Sequence, residues 1–372
     1  ELAGVGIAFK LAQALKETFS NRASFEEDQL LDLVALGTVA DLVPLLGENR
    51  LLVTRGLQVL NQCQRPGVDA LARVSSLKPG AILAESIAFG LAPRINAAGR
   101  LAHAYDAARL LAVNNSLMAQ EYAESLNQLN RERQQLTNIL SQRAEEMIEP
   151  DAPLLFAADP GFLSGVVGLV ASRLADKHYR PAIVIEQGEY ESRGSCRSIP
   201  EFHITEALDR AEPLLERHGG HAQAAGFTIK NENLVAFQAQ MVEIAQEMLD
   251  GEELIPAIPI DAEINIGDID WALHGMLESL EPTGNGNPTP VFMSRDIQVY
   301  DHRSVGQDGS HLQLWVGDGR VKRSCIAFRQ GAWAGRLPSR VDLAYTINVN
   351  EWNGRRDLQL VVKDIREAGV GG

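Results

Sequence analysis

The chain has 372 residues, enough for two or three domains, and its 45% hydrophobic and 22% charged residues are typical of a globular protein with buried cores. Its net charge of −15 excludes a generally basic surface, so any nucleic-acid site must be a local positive patch. No apolar run is long enough to span a bilayer and no signal-peptide pattern opens the chain, so we expect a cytoplasmic protein that does not bind membranes.

Residues 1–113 have a helical pattern, with apolar runs that are interrupted by Pro44 and Pro66. The first residue is Glu rather than Met, and the helical pattern already begins at Leu2. We therefore expect a fragment of a longer protein, whose first part is the mostly helical remainder of a domain.

Residues 114–150 are predicted to form one long connecting helix. Its apolar residues recur at spacings of three and four, Asn115 provides an N-terminal cap, and Pro150 ends the pattern. A single apolar stripe suits a helix that packs along one side between two domains.

Alternating strand and helix patterns over residues 151–250 predict an α/β domain. Strands are expected at 154–158 and 182–185, and helices at 166–178, 204–217 and 234–249.

Strand patterns dominate residues 251–372 and predict a compact all-β barrel. The strands are expected at 291–299, 311–316, 321–328, 341–350 and 358–362. Asn353-Gly354 is a strong hairpin-turn signal. Tyr345 belongs to an alternating apolar face and is predicted to be structural.

Four motifs stand out, in the order ALGTVADLVPL (35–45), APRINAAGRL (92–101), GSCRS (194–198) and GGHAQAAGF (219–227). Together they resemble the RecJ family of the DHH phosphoesterases, over essentially the whole chain. The resemblance implies part of a DHH domain in residues 1–113, a DHHA1 domain in 151–250 and an OB-fold, which includes NEWNGRR (350–356), in 251–372. The fold class is thus a multi-domain α/β protein.

Asp41 follows an apolar helix and precedes Pro44, where a carboxylate can face a cleft. An isolated Asp at such a place is usually a solvated helix-end residue. The resemblance instead implies a ligand of a catalytic Mn²⁺ or Mg²⁺ pair. A two-metal site needs several carboxylates and histidines, and the family's Asp-x-Asp and Asp-His-His motifs belong upstream of residue 1. We therefore expect no stably bound metal in this chain.

Arg94 and Arg100 flank Asn96 in what we predict to be a loop of small residues. Arginine forks match phosphate geometry, although a salt-bridged pair is the alternative. The resemblance implies that one of the two arginines holds a phosphate of the strand being cut.

The GSCRS segment, predicted to follow a strand, offers backbone N–H groups, two hydroxyls and a guanidinium, the mixture that an anion nest requires. A serine nucleophile is the competing reading, but the Gly-x-Ser-x-Gly pattern and a triad are missing. The resemblance implies that Ser195, Arg197 and Ser198 recognise the phosphorylated 5′ end of DNA.

Gly219 and Gly220 permit unusual backbone conformations and place His221 beside the following strand. His218 and His221 could pair as metal ligands, although a hydrogen-bonded structural histidine is commoner and no third ligand is near in the sequence. The resemblance implies a phosphate contact at this segment and a catalytic role for His221 at the scissile nucleotide.

Aromatic and basic residues are interleaved in the barrel, as in OB-folds that stack bases and follow the phosphate backbone. The candidates for strand binding are Trp315, Lys322, Arg323, Trp352, Arg355 and Arg356.

The resemblance implies that the intact parent is a metal-dependent 5′-to-3′ exonuclease for single-stranded DNA in DNA repair and recombination. Single-strand-binding protein and other repair proteins are its expected partners, and the fragment alone is expected to be inactive. Two alternatives stay open: a DHH phosphodiesterase for short oligonucleotides or cyclic dinucleotides, and a non-catalytic single-strand-binding module.

Overall fold

The computed structural model describes residues 2–19, 26–306, 308–352 and 354–369, except that the Trp352 side chain is not described. Two compact units divide the chain: Glu1–Leu57 with Ala257–Gly372, and Gln58–Pro256. Among the described helices, none is both long and apolar enough to cross a membrane.

Three helices open the chain: α1 (Gly4–Thr18), α2 (Leu31–Ala40) and α3 (Gly47–Leu60). Two glycines let these helices approach closely. A Cβ on Gly37 of α2 would lie 2.8 Å from Val5 Cγ1 of α1, and one on Gly56 of α3 would lie 2.3 Å from the Leu31 carbonyl oxygen of α2. The helical pattern predicted here is confirmed.

The second unit begins with further helices, which are α4 (Pro66–Val74), α5 (Ala84–Ser86), a π-helical turn (Ile87–Leu91), α6 (Ala92–Leu101), α7 (Ala104–Ala112) and α8 (Ser116–Glu145). The π turn lies just before Pro93, which has no N–H to donate and whose ring clashes with the carbonyl four residues earlier. The predicted long helix is confirmed as α8, 30 residues long. Its cap is Asn115, whose side chain accepts the N–H groups of Leu117 and Met118.

A five-stranded sheet follows, with the order β1-β2-β3-β5-β4. Its strands are β1 (Leu155–Asp159), β2 (Ala182–Glu186), β3 (Glu191–Arg197), β4 (Leu215–His221) and β5 (Ala224–Lys230). Only β1 and β2 pair in parallel. Helix α9 (Ser164–His178) covers one face over β1 and β2, whereas α10 (Ile204–Arg210) and α11 (Leu234–Met248) cover the other face.

The predicted helix over residues 204–217 is wrong at its end. Helix α10 stops at Arg210, a short 3₁₀ turn spans Glu212–Leu214, and β4 begins at Leu215. Pro213 lacks the N–H that a continuing helix needs, and the sheet edge formed by β5 provides the alternative partner.

The last part is a barrel whose elements are β6 (Ala262–Glu263), α12 (Trp271–Glu278), β7 (Phe292–Val305), β8 (His311–Gly317), β9 (Lys322–Ala327), β10 (Arg340–Trp352) and β11 (Arg355–Glu367). The strand order is β10-β11-β9-β8-β7-β6, and β10 also pairs with β7, which closes the sheet. Tyr345 is fully buried, with its hydroxyl 2.6 Å from Ser294 Oγ, so its predicted structural role is confirmed. Asn353 of the predicted turn lies outside the described residues.

Candidate functional site

Asp41 caps the C-terminus of α2, as the sequence predicted. Its backbone N–H donates to the Gly37 carbonyl (3.0 Å), and the residue is exposed. No group of three or more His, Cys, Asp or Glu side chains that could hold a metal ion occurs in the described part of the chain. Because two divalent cations need several such ligands together, the described residues do not by themselves fit a metal pair, and Asp41 can supply only one ligand.

The sheet of the second unit brings two predicted residues onto one face. In the ladders of β3, β5 and β4, Arg197 pairs with Ala224, which pairs with His221. Residues directly opposite each other in antiparallel strands project to the same face. Arg197 and His221 therefore share a face, two strand spacings or about 10 Å apart.

Only Ala224 lies between these two side chains, and the next row of the same face presents bare backbone at two positions. The neighbouring row of the ladder is Ser195, Gly226 and Gly219. A Cβ on Gly219 would meet nothing within 4 Å, and one on Gly226 would meet only the Gly194 carbonyl oxygen, at 3.5 Å. We call this surface of Gly219 and Gly226 the glycine floor, because an extended ligand can lie on it without meeting a side chain.

Three arginines from different elements lie near one another: Arg100 of α6, Arg133 of α8 and Arg197 of β3, the strand that borders the floor. The pKa of Arg100 is lowered by partial burial and by the charge of Arg197, and that of Arg133 by burial and by the charges of Arg100 and Arg173. Burial also lowers the pKa of Arg197. No described carboxylate is among the charges that shift these three pKa values. We call these three residues the arginine cluster. The positive charges of its members repel one another, and a bound anion would reduce this repulsion.

Direct contacts hold Arg100 and Arg197 near the start of α9. One Nη of Arg100 donates to the Gly165 carbonyl (3.0 Å), and Arg197 donates to Ser195 Oγ (3.3 Å) and to the Cys196 carbonyl (2.7 Å). A Cβ on Gly168 would lie 3.0 Å from Ser195 Oγ, so α9 packs closely against this part of β3. The positive end of the α9 dipole adds to the field of the cluster.

The prediction that GSCRS follows a strand and offers its backbone N–H groups as an anion nest is wrong. Residues 194–197 lie inside β3, whose backbone is paired with β2 on one side and with β5 on the other. Their N–H groups are therefore committed to the sheet, and only side chains can bind an anion. The Ser198 hydroxyl donates to the Phe202 carbonyl (2.6 Å), and the Ser195 hydroxyl accepts from Arg197 and is not seen to donate to a general base among the described residues.

The loop predicted around Arg94 and Arg100 is also wrong, because both residues lie in α6. Arg94 donates to Asn127 Oδ1 (2.9 Å) and to the Gly90 carbonyl (2.7 Å), so it links α6 to α8 and to the π turn. Asn96 is exposed on α6. Of the two candidate arginines, Arg100 is the one that lies beside Arg197.

The two histidines of β4 do not converge. His218 pairs in register with Phe227 on the face opposite His221, and its Nε2 lies 2.8 Å from Asp209 Oδ1 of α10. A shared metal site is therefore excluded by geometry. Gly220 is required here, since a Cβ would lie 2.3 Å from the Ala224 carbonyl oxygen.

In the barrel, aromatic and basic side chains pair on the outer surface. Arg303 lies over the Trp315 ring (5.7 Å), Lys322 over the Tyr300 ring (4.2 Å) and Arg356 over the Trp271 ring (5.6 Å).

The other predicted barrel residues differ from one another in exposure. Arg355 is exposed, whereas Arg323 donates to the Ile269 carbonyl and is half-buried. The Trp352 side chain lies outside the described residues. Sequence reasoning missed Arg133 as a site residue, along with Arg303, Tyr300 and Trp271; only the alternation of β7 and β8 could have signalled Arg303 beside Trp315.

An arginine cluster beside an open sheet face, followed by a barrel with paired cations and aromatics, is the kind of surface that can bind nucleic-acid strands. Residues 151–247 match the DHHA1 domain family and residues 260–364 match the RecJ OB domain family. The RecJ single-stranded-DNA-specific exonucleases of Bacillus subtilis and Salmonella typhimurium are 38% and 34% identical to the chain over 98% of its length. The chain spans 46% and 67% of these two relatives, so about half to two thirds of their length.

The crystal structure of Thermus thermophilus RecJ in complex with Mg²⁺ is similar over 98% of this chain and 56% of that one, with a TM-score of 0.86 and 32% identity. Its complex with Mn²⁺ gives the same TM-score. The chain belongs to the RecJ family. The predicted fold class, with a helical part, a DHHA1 domain and an OB-fold, is thereby confirmed.

Proposed function

We propose that this chain is the part of a 5′-to-3′ single-stranded-DNA exonuclease that grips the 5′-terminal phosphate and guides the strand. The observation that carries the proposal is that Arg100 and Arg197 meet at the start of α9, on a strand that borders the glycine floor, where the charge of Arg197 helps to lower the pKa of Arg100. A terminal phosphate carries more charge than an internal diester and suits a guanidinium fork. Arg100, Arg197 and Ser195 bind it, and His221 faces the same floor from the opposite side.

The cleavage step needs a Mn²⁺ or Mg²⁺ pair, which polarises the phosphodiester and activates water. In our proposal Asp41 is one ligand of that pair, and the Asp-x-Asp and Asp-His-His motifs expected upstream of residue 1 provide the others. Residues 1–113 are then the remainder of a DHH domain, 114–150 the connecting helix, 151–250 the DHHA1 domain and 251–372 the OB-fold. Cytoplasmic DNA repair and recombination, with single-strand-binding protein among the partners, stays part of this proposal.

The proposal predicts that the chain alone does not degrade 5′-phosphorylated single-stranded DNA in the presence of Mn²⁺, because one carboxylate cannot hold two cations. The measurement is release of nucleotides from an end-labelled oligonucleotide by the purified chain. Turnover that disappears in Asp41→Ala would contradict the prediction.

Binding of the 5′ end is tested with Arg197→Ala. We expect it to weaken binding of a 5′-phosphorylated oligonucleotide by about 1–3 kcal/mol, the range for a lost charged hydrogen bond, and to leave the 5′-hydroxyl oligonucleotide almost unchanged. Arg193→Ala is the matched control, because Arg193 is exposed on the same strand and the same face, about 13 Å further along. Equal losses on both oligonucleotides would show that Arg197 supports the fold or the general strand path.

A further inference from the structure

The loop between α12 and β7, with the sequence EPTGNGNP (281–288), contacts the segment directly after Asp41. We call it the 281–288 loop. The Asn285 carbonyl accepts the N–H of Leu45 (2.7 Å), and the Asn285 side-chain amide donates to the Leu42 carbonyl. One asparagine thus holds both ends of the Leu42–Leu45 segment.

The loop is rigid enough to act as a clamp because it holds itself together. Gly284 and Asn287 exchange two backbone hydrogen bonds (2.8 and 3.1 Å). The Asn287 amide donates to the carbonyls of Leu280 (2.9 Å) and Pro282 (3.0 Å). These bonds order Asn285 whether or not it contacts its partner segment.

The fit between the loop and the segment depends on two glycines. Gly286 has a φ of +73°, and a Cβ on it would lie 2.9 Å from Pro44 Cβ. A Cβ on Gly284 would lie 2.9 Å from Cδ1 of Leu45, which is buried. A side chain at either position would push the loop away from the segment.

Arg50 adds a further link on the other side of the segment. This residue of α3 donates to the Leu280 carbonyl (2.9 Å) and, at 3.3 Å, to that of Ser279, just beyond the C-terminus of α12. A guanidinium at that negative helix end is favourable. Both the start of α3 and the segment before it are therefore attached to the connection between α12 and β7.

The segment needs this support because Leu42 has a φ of +54°. This left-handed conformation is unfavourable for a residue with a side chain, and it persists only where neighbouring groups impose it. The Leu42 carbonyl that Asn285 binds belongs to this strained residue, which directly follows the exposed Asp41.

We propose that the 281–288 loop is a positioning element for Asp41. By fixing the backbone that follows the carboxylate, it couples the barrel that binds the strand to the metal centre that cuts it. This inference rests on the proposed function, since it takes Asp41 as a metal ligand. Asn285 and Arg50 bind backbone carbonyls of the segment and of the α12–β7 connection, so they are positioning residues.

The first test uses this chain as it is and measures hydrogen–deuterium exchange of residues 41–46. Asn285→Ala should speed the exchange of the Leu45 amide by about tenfold or more. The reason is that the Leu42–Leu45 segment loses the hydrogen bond from the Asn285 side chain to the Leu42 carbonyl. Asn265→Ala is the matched control, since the Asn265 amide donates to Asp268 and does not contact the segment. Unchanged exchange in Asn285→Ala would overturn the proposal.

The second test uses a chain extended upstream to include the Asp-x-Asp and Asp-His-His motifs. Asn285→Ala should raise the Mn²⁺ concentration for half-maximal cleavage by about tenfold, the usual effect of removing a group that orients a metal ligand, and leave KM for DNA unchanged. Asn285→Gln, which keeps the amide, should recover part of the metal affinity. A lower kcat at an unchanged Mn²⁺ requirement would mean a merely structural role.

Asp41→Asn in the same extended chain tests the metal role of Asp41 separately from the positioning role of the 281–288 loop. If Asp41→Asn raises the Mn²⁺ requirement and Asn285→Ala does not, the positioning role is wrong while the proposed function stands. If neither variant changes the Mn²⁺ requirement, the metal role of Asp41 is wrong and the positioning role falls with it, even where exchange shows that the loop orders the segment.

Discussion

At the scale of single residues, two glycines near the arginine cluster tolerate an added methyl group very differently. A Cβ on Gly165, in the first turn of α9, would lie 2.1 Å from the Arg100 carbonyl oxygen, whereas one on Gly99 of α6 would meet only Ala104 Cβ at 3.8 Å. A methyl group at Gly165 would have to push the backbones of α6 and α9 apart, whereas there is room for one at Gly99. The close approach of α6 and α9, which brings Arg100 beside Arg197, thus depends on Gly165.

We therefore predict that Gly165→Ala lowers the free energy of unfolding by about 1–3 kcal/mol, the usual cost of overpacking. Gly99→Ala should raise it by up to about 1 kcal/mol, because alanine favours the helix. The measurement is a urea titration followed by far-ultraviolet circular dichroism, with the slope checked for constancy. Similar effects of the two substitutions would show that α6 and α9 are not in close contact.

Tyr345 provides a pH-dependent prediction for the barrel. Burial raises the pKa of its phenol to about 12, and the hydrogen bond between the phenol and Ser294 opposes this only in part. The unfolded chain releases the same proton near pH 10. The stability from the neutral phenol is therefore complete below about pH 10 and is lost as the pH rises towards about 12.

In Tyr345→Phe this loss should disappear. We expect the wild-type barrel to lose about 1.4 kcal/mol per pH unit relative to the variant above about pH 10. Tryptophan fluorescence in urea reports on the barrel, because Trp271, Trp315, Trp333 and Trp352 all lie in residues 251–372. Parallel pH profiles of stability for the two proteins would contradict a raised pKa of Tyr345 in the folded barrel.

At the scale of elements, helix α8 and the barrel strands were predictable because their apolar periodicity is regular and long. The π turn, α6 and β3 were not. The segment at 194–198 contains Gly and Ser and looks like a loop, yet β2 and β5 offer its backbone hydrogen-bond partners on both sides. Pairing that comes from distant strands overrides local preference, and sequence spacing alone does not reveal it.

The same limit applies to the site. Asp41 and Arg197 could be chosen from motifs, but Arg133 could not, because its place in the cluster follows from how α8 packs against α6 and α9. Gly219 and Gly226 were recognisable as glycines, whereas their position in a floor depends on the register of three strands.

At the scale of the whole molecule, a net charge of −15 coexists with local cation sites. We predict that the chain binds single-stranded DNA weakly and that the affinity falls steeply with salt, by a logarithmic slope of about −0.7 for each neutralised phosphate. Arg303→Gln should reduce the slope by about 0.7, because Arg303 lies beside Trp315 on the outer surface.

Arg295→Gln is the control for this titration, since Arg295 forms an ion pair with Glu263 (2.9 Å) and is expected to contribute less to the slope. Fluorescence anisotropy of a labelled oligonucleotide over a range of salt concentrations gives both slopes. Binding that is undetectable at low salt, or insensitive to salt, would mean that single-stranded DNA does not bind at these cation sites.

The central position of β3 has a consequence for the thermodynamics of recognition. Arg197 is attached to a strand that is bonded on both sides, and its guanidinium is already held by Ser195 and by the Cys196 carbonyl. Much of the conformational entropy of this side chain is therefore lost during folding rather than on binding, and an incoming phosphate does not have to order it. For a phosphate ligand, we expect an association rate limited by encounter rather than by rearrangement of the site.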